Sequence, residues 1–234
     1  MDLDVIVVGG GPVGLMSAAL LDAAGVRVEV YERNPGPSTE SKATTMHPRT
    51  LEVLTLLELG DGRRVSDELI AQGRQVPHAH FAALPTQLDY TSLDTPFPYV
   101  LMIPQWRTEH ALAEYLRIRN VPVHYGAEVT GVSQSADAVK VTVGGATLEA
   151  SYVVGADGAH STVRHAAGID FPGNLPTIVN FVADVTVATP VQNATFYWDR
   201  NAGLAAIMPM PGDIYRVFGV EADEAGLRDR KSVV

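Results

Sequence analysis

The chain has 234 residues, a formal net charge of −10, 46% hydrophobic and 19% charged residues, and no cysteine. That balance describes a soluble globule large enough to bury a sizeable core in one large domain or two. It argues against nucleic acid as a partner, and it excludes disulfides, thiolate catalysis and zinc–cysteine sites. No cleavable signal and no apolar run near membrane-spanning length is legible, so the expectation is a cytoplasmic protein with no membrane partner.

The first element is an apolar, β-branched strand, Asp4-Val5-Ile6-Val7-Val8, which breaks into Gly9-Gly10-Gly11-Pro12-Val13-Gly14. A helical pattern, Leu15–Leu21, follows. The glycines at G-x-G-x-x-G spacing have separate tasks. Gly9 permits the turn off the strand, Gly11 keeps side-chain bulk away from a pyrophosphate, and Gly14 lets the helix pack close. Pro12 suits a first helical turn, which has no use for its missing N–H. Phosphates would sit, beside Val13, on N–H groups at the positive end of the helix dipole. The spacing alone is a weak signal in a chain with 21 glycines, and its context carries the reading. Gly25 offers a helix C-cap, Val26–Tyr31 reads as a second strand, and Glu32 stands where a carboxylate reaches a ribose hydroxyl. An acid there disfavours a 2′-phosphate, which favours FAD or NAD over NADP. An ordinary βαβ unit with a glycine-rich turn is the alternative.

Residues 34–47 are rich in Pro, Gly, Ser and Thr and read as a loop. A helix is expected from Pro48 to Gly60, with Leu51, Leu54 and Leu57 or Glu58 on recurring faces. Lys42, His47 and Arg49 are the polar residues close enough in sequence to reach bound phosphates; Lys42 and Arg49 could equally be solvated loop charges, and for His47, which no metal-ligand spacing surrounds, a solvated loop residue is the favoured reading. Val65–Ala71 reads as a helix ending at Gly73, and Gln75–Phe81, Gln87–Thr91 and Tyr99–Ile103 as short strands. His78 and His80 alternate on one strand face without a third metal ligand nearby. Pro104–His110 leads into a helix burying Leu112, Tyr115, Leu116 and Ile118 and closed by Asn120. A strand at residues 121–125 and a meander of Glu128–Ser135, Ala138–Val143 and Ala146–Ala150 follow, with Gly144-Gly145 as a hairpin turn.

A second constellation is Tyr152-Val-Val-Gly-Ala-Asp157-Gly158-Ala-His160-Ser161-Thr162-Val163-Arg164. At the C-terminal edge of a buried strand, Asp157 would lie on the ligand side of an open α/β sheet. It could accept sugar hydroxyls or order water around phosphates, or simply form an Asp-Gly turn and helix cap.

Four stretches taken together carry a family resemblance: Gly9–Gly14 with Glu32-Arg33, Lys42 with residues 47–52, Gln105 to Glu109, and Gly155 to Arg164. In that order they resemble the N-terminal part of the class A FAD-dependent aromatic monooxygenases of the p-hydroxybenzoate hydroxylase fold, most closely the branch acting on polycyclic polyketides. The resemblance implies an α/β fold: a Rossmann-like FAD-binding domain with a β-meander, then the start of a mixed β-sheet substrate domain. It places the FAD-binding domain at residues 1–173, with 74–104 as an excursion toward the substrate side, and the partial substrate domain at 174–234. Gly9, Gly11 and Gly14 would hold the pyrophosphate, Glu32 the adenosine ribose, and Arg33 would lie along the adenine. Gln105 would approach the ribityl chain, and Asp157 with Gly158 the pyrophosphate side and the nicotinamide donor. Lys42 stands where the family usually has arginine; it keeps the charge but loses the planar fork.

The implied reaction uses NAD(P)H to reduce FAD, after which O₂ gives one oxygen atom to an electron-rich aromatic ring; no side-chain base is implied. Met102, Phe196, Trp198, Met208 and Met210 could line the substrate pocket or be plain core. Segments at 177–187, 194–198, 203–208 and 214–220 read as strands opening the substrate sheet. The family's later Gly-Asp motif and remaining strands are not reached by Val234. Three readings fit that ending: part of a longer monooxygenase, a truncated flavin protein completed by a second chain, or a non-redox homologue serving as a binding module.

Overall fold

The computed structural model describes residues 3–39, 42–60, 62–80, 86–174, 180–199 and 203–220. Phe81, residues 177–179 of the strand expected at 177–187, and the end at 231–234 lie outside them. In chain order the first elements are β1 (Val5–Val8), α1 (Pro12–Ala23), β2 (Val28–Glu32), β3 (Thr45–Met46), α2 (Pro48–Leu54), α3 (Val65–Gln72) and β4 (Arg74–Val76). The chain continues through β5 (His78–His80), β6 (Gln87–Asp89), β7 (Val100–Met102), α4 (Gln105–Ile118), β8 (Val123–Tyr125), β9 (Val129–Gln134) and β10 (Val139–Val143). It ends with β11 (Ala146–Ala150), β12 (Tyr152–Gly155), α5 (Thr162–Ala166), β13 (Asn180–Val185), β14 (Thr195–Asp199), β15 (Gly203–Pro209) and β16 (Tyr215–Val220). The result is a mixed α/β fold. Two compact units emerge, residues 1–77 with 90–171, and residues 78–89 with 172–234. Of the stretch 74–104, only 78–89 groups with the second unit.

The first unit is layered. Its parallel sheet has the order β12-β1-β2-β8, with Val5 opposite Tyr152 on one side and Val28 on the other. Side chains of a strand alternate between faces, so the run Val5-Ile6-Val7-Val8 serves two cores. Val5 and Val7 join Leu15, Leu51, Leu54, Leu69, Leu112 and Leu116 beneath the helices. Ile6 and Val8 join Tyr31, Val129, Val141 and Ala150 under the antiparallel sheet β11-β10-β9. Both faces are covered, which is why β1 reads as unbroken hydrophobic sequence.

Local chemistry sets the element ends. Helix α1 stops in a Schellman arrangement: the Val26 N–H donates to the Leu21 carbonyl at 3.0 Å and the Gly25 N–H to the Asp22 carbonyl at 2.8 Å, with Gly25 at φ +79°. Helix α4 ends the same way on Asn120, the only described non-glycine residue with positive φ, at 59°. The Gly144-Gly145 turn has φ of 55° and 84°, the paired positive angles that a two-residue hairpin between Val143 and Ala146 requires.

Two expectations are corrected. The helix from Pro48 ends at Leu54 rather than Gly60, because the Leu59 N–H bonds the Arg63 carbonyl and turns the chain. Leu57 is nonetheless fully buried, from a turn instead of a helix. Ile118 is 38% exposed, because the last turn of α4 rotates it off the stripe formed by Leu112, Tyr115 and Leu116.

The second unit holds an antiparallel sheet in the order β13-β16-β15-β14 and the antiparallel β5–β6 pair. Arg216 is buried on β16 and donates through Nε and an Nη to both carboxylate oxygens of Asp184, at 2.7 and 2.8 Å. On β14, Phe196 meets Phe218 edge-on at 6.3 Å, whereas Trp198 is 68% exposed. Met210 and, in the first unit, Met102 are buried.

Candidate functional site

The turn leaving β1 is built by absent side chains. Gly9 has φ +105°, and a Cβ there would strike the Ala156 carbonyl and lie 2.9 Å from the Asp157 nitrogen. A Cβ on Gly14 would strike the carbonyl oxygen of Gly9, so the start of α1 can pack on the turn only as glycine. A Cβ on Gly10 would come within 2.8 Å of the Glu32 Cβ. Gly11 differs. It is the N-cap of α1, and among the described residues no side chain caps the helix there and nothing lies within 4 Å of where its Cβ would be. Pro12 is the first helical residue, and Val13 beside it is 66% exposed. The N–H end of α1 therefore faces open space, with no acid in its first turn. That is the arrangement a diphosphate fits.

Glu32 closes β2 and is buried, 9% exposed. Its Oε2 accepts the Gly10 N–H at 2.5 Å and its Oε1 the Asn34 N–H at 2.8 Å. A carboxylate accepts about four hydrogen bonds, so both oxygens retain capacity for sugar hydroxyls. Arg33, next in sequence, is exposed.

Lys42 is exposed, and the residues after it are tied to the start of α4. The Ile103 N–H donates to the Thr44 carbonyl at 2.8 Å and the Gln105 N–H to the Ala43 carbonyl at 3.0 Å. Gln105 donates its Nε2 to Glu109 Oε1 at 2.7 Å, and Glu109 is 3% exposed. Arg49, with a side chain 84% exposed, pairs with Glu52 at 2.8 Å. Glu52 also accepts from Thr95 at 2.7 Å, and Arg49 first, then Thr95, hold its carboxyl below the ordinary range. The His47 Nδ1 lies 3.1 Å from the Tyr90 hydroxyl. No cluster of metal-ligating side chains occurs among the described residues.

Asp157 is engaged by its own helix. Its Oδ1 accepts from the Ser161 hydroxyl at 2.5 Å and its Oδ2 from the N–H groups of Thr162 at 2.6 Å and Val163 at 3.3 Å. Ser161 in turn accepts the Arg164 N–H at 3.0 Å, and Gly158 makes the turn at φ +79°. The Asp-Gly turn with a helix cap thus describes every one of these contacts.

Three residues escape the sequence reading. Gly10 is required by the approach of Glu32, and only the glycine run hints at it. Glu109 is buried one helical turn after Gln105, an i,i+4 spacing that could have paired them. The Tyr125 hydroxyl is buried with no hydrogen-bond partner among the described residues; burial first, then the charges of Glu32 and Glu109, push its phenol above the ordinary value.

The structure therefore brings Gly9, Gly10, Gly14 and Glu32 together around the turn that leaves β1, with Gly11 beside them and the Asp157 turn packed against Gly9. It ties the Lys42 segment to Gln105, and it turns the Arg49 guanidinium onto Glu52. Among the described residues no helix is long and apolar enough to cross a membrane.

Known proteins resemble this chain in sequence and in fold. A family model described as "FAD binding domain" matches residues 2–232. A 12-dehydrotetracycline 5-monooxygenase/anhydrotetracycline 6-monooxygenase of Streptomyces rimosus is 40% identical over 230 residues, covering 92% of this chain and 44% of that protein. The structure of OxyS anhydrotetracycline hydroxylase from Streptomyces rimosus superposes with a TM-score of 0.83 at 34% identity, covering 100% of this chain and 46% of that one. A dialkyldecalin synthase of Streptomyces rugosporus is 35% identical over 222 residues, covering 94% of this chain and 46% of that protein. The chain spans less than half the length of these relatives.

Proposed function

The chain belongs to the FAD-binding domain family whose relatives include aromatic and polyketide monooxygenases, and from that premise we propose that it serves a flavin-dependent, NAD(P)H-using monooxygenase of an aromatic, polyketide-type substrate. Residues 1–173 act as a Rossmann-like FAD-binding domain with β9–β11 as its meander, and 174–234 as the opening of a substrate sheet. The observation that carries the reading is the side-chain-free N-cap at Gly11, open to solvent, beside the buried carboxylate of Glu32.

The residues divide the work. Gly9 and Gly14 set the turn, and Gly11 with the first N–H groups of α1 receives the diphosphate, helped by the dipole. Glu32, oriented by Gly10 and Asn34, accepts ribose hydroxyls, while Arg33 lies along the adenine. Lys42 and Arg49 supply positive charge to the phosphates, Arg49 by exchanging Glu52 for them. Gln105 contacts the ribityl chain, and Asp157 and Gly158 hold the turn behind the diphosphate. Bound FAD supplies the redox chemistry: it carries electrons from NAD(P)H and lets O₂ deliver one oxygen atom to an electron-rich ring. The chain's contribution on the substrate side is the β13–β16 sheet, whose partners in this reading are the aromatic substrate and further polypeptide or a second chain.

The direct test is titration of FAD with the purified chain, followed by flavin fluorescence and absorption. Saturable quenching that Gly11→Leu abolishes supports the reading, and a chain that leaves flavin unperturbed sinks it. The similarity to a dialkyldecalin synthase favours a second reading, in which the same cradle serves a reaction that is not a hydroxylation. NAD(P)H consumption stimulated by an aromatic substrate separates the two.

A further inference from the structure

Helices α3 and α4 and the turn before α3 line a groove of about 550 Å³ that shares no lining residue with the glycine turn or Glu32. Its apolar walls include Leu59, Ala111 and Ile118, the last being the residue that the end of α4 leaves 38% exposed. A line of polar contacts runs along it. Arg63 donates to Glu68 Oε2 at 3.1 Å, Gln72 donates its Nε2 to Glu68 Oε1 at 2.7 Å, and Arg107 donates an Nη to Gln72 Oε1 at 3.0 Å. Both ends of the Gln72 amide are thus in use, and a neutral group stands between Glu68 and Arg107. The other acid in the groove, Glu114, takes two bonds from Arg117, at 2.7 and 2.6 Å. Arg107 is left over. Among the described residues it pairs with no carboxylate, and its Nε is buried with no acceptor. The Trp106 ring, 5.0 Å from the guanidinium, holds it in place.

We propose that this groove is a second binding site, for a small monocarboxylate with an apolar body, its carboxylate on Arg107 and its body against Leu59, Ala111 and Ile118. A shielded guanidinium without a counter-ion is costly, and an incoming anion offsets that cost. The planar fork matches a planar carboxylate through parallel N–H bonds. Charge selects against a dianion such as a phosphate ester, because Glu68 and Glu114 line the same groove and the chain carries −10. The volume suits a ligand of one or two rings. The inference does not rest on the flavin reading, since the two sites have no residue in common.

The probe is benzoate, titrated at pH 8 and fixed ionic strength into a Trp198→Phe chain, where Trp106 is the one tryptophan left to report by fluorescence. Saturable quenching with a dissociation constant of about 1 mM is expected. Benzamide, the uncharged isostere, should bind at least about tenfold more weakly. Arg107→Gln should lose about tenfold in benzoate affinity and Arg107→Lys about threefold, since lysine keeps the charge without the fork. Ile118→Glu alters a side chain that is already part exposed and sets a like charge beside the ligand, for a loss of about fivefold; it is the deciding variant if the Arg107 variants do not fold. No fluorescence change with benzoate up to about 50 mM overturns the inference. Benzamide bound as tightly as benzoate overturns it too, as does an Arg107→Gln or Ile118→Glu chain that binds benzoate like its parent. Benzoate displaced by FAD also overturns it, by placing the anion in the glycine turn.

Discussion

Two strands lie side by side in the parallel sheet, β1 and β12, and each runs through a glycine-bearing turn into a helix. Their helices begin in opposite ways. After β12, the start of α5 is filled by the chain itself, with Asp157 and Ser161 accepting the N–H groups of Thr162, Val163 and Arg164. After β1, the start of α1 carries no side-chain cap, and Gly11 looks onto empty space. A helix end whose orphan N–H groups have an internal acceptor is structurally complete, whereas one left open is suited to an outside anion. The two turns are also in contact, since Gly9 abuts Ala156 and Asp157. The self-capped turn is thus the wall against which the open one is shaped. This makes Asp157 more a support of the crevice than a hand reaching into it.

The largest effect should come from the point where the open turn has no spare room. Gly14→Ala puts a methyl group onto the Gly9 carbonyl, which is backbone and cannot step aside. It should cost at least about 3 kcal/mol of stability and abolish FAD binding together, measured by denaturant unfolding and flavin titration. A variant with wild-type stability would mean that α1 is not seated on the turn as described.

Next is the self-capped turn. Asp157→Ala removes the acceptor for Ser161, Thr162 and Val163 at once. The expected loss is about 2 kcal/mol, with FAD affinity at saturating protein stability falling only a few-fold. The comparison breaks if the order reverses, with stability untouched and flavin binding gone, because Asp157 would then serve the ligand directly.

Gly11→Ala probes the open end itself. The new methyl meets nothing within 4 Å, and the backbone there, at φ −75°, suits alanine. Stability without ligand should stay within about 1 kcal/mol of wild type, while FAD affinity should fall about tenfold as the methyl occupies the diphosphate's approach. Equal affinity would move the ligand off this turn.

These contrasts were partly legible in the sequence, for reasons that differ from residue to residue. The glycine spacing, Pro12 and the β-branched run located β1 and α1 because each reports a local constraint. Strand β11 fell on Ala146–Ala150 as expected because two adjacent glycines fix a hairpin from within. Leucine periodicity was a poorer guide to α2, since it records burial, and Leu57 is buried from a turn. The Asp157–Ser161 spacing showed a possible cap but not that both carboxylate oxygens are committed to it. Gly10 stood inside the glycine run with no task of its own, because its importance arises across the fold, from Glu32 folding onto its N–H.

The smallest effect concerns Arg49, the cation on α2 proposed to serve the phosphates. Arg49 spends its charge on Glu52, and that pairing, reinforced by Thr95, holds the Glu52 carboxyl below its ordinary value of 4.5. A depressed acid contributes its stabilisation in full above the ordinary value and loses it as pH falls through the lowered one, so the Arg49–Glu52 pair persists at neutral pH and opens only in acid. A diphosphate that recruits Arg49 must therefore compete with Glu52. Glu52→Gln should tighten FAD binding at neutral pH by up to about threefold, no more, because the pair is exposed and screened. The advantage over wild type should shrink as pH is lowered through the Glu52 titration, since protonation releases Arg49 in the wild-type chain as well. Removing an acid from a chain of net charge −10 would favour any anion a little, so the decisive comparison is made in an Arg49→Gln background. If the gain survives there, it comes from the general field and Arg49 has no part in holding the phosphates.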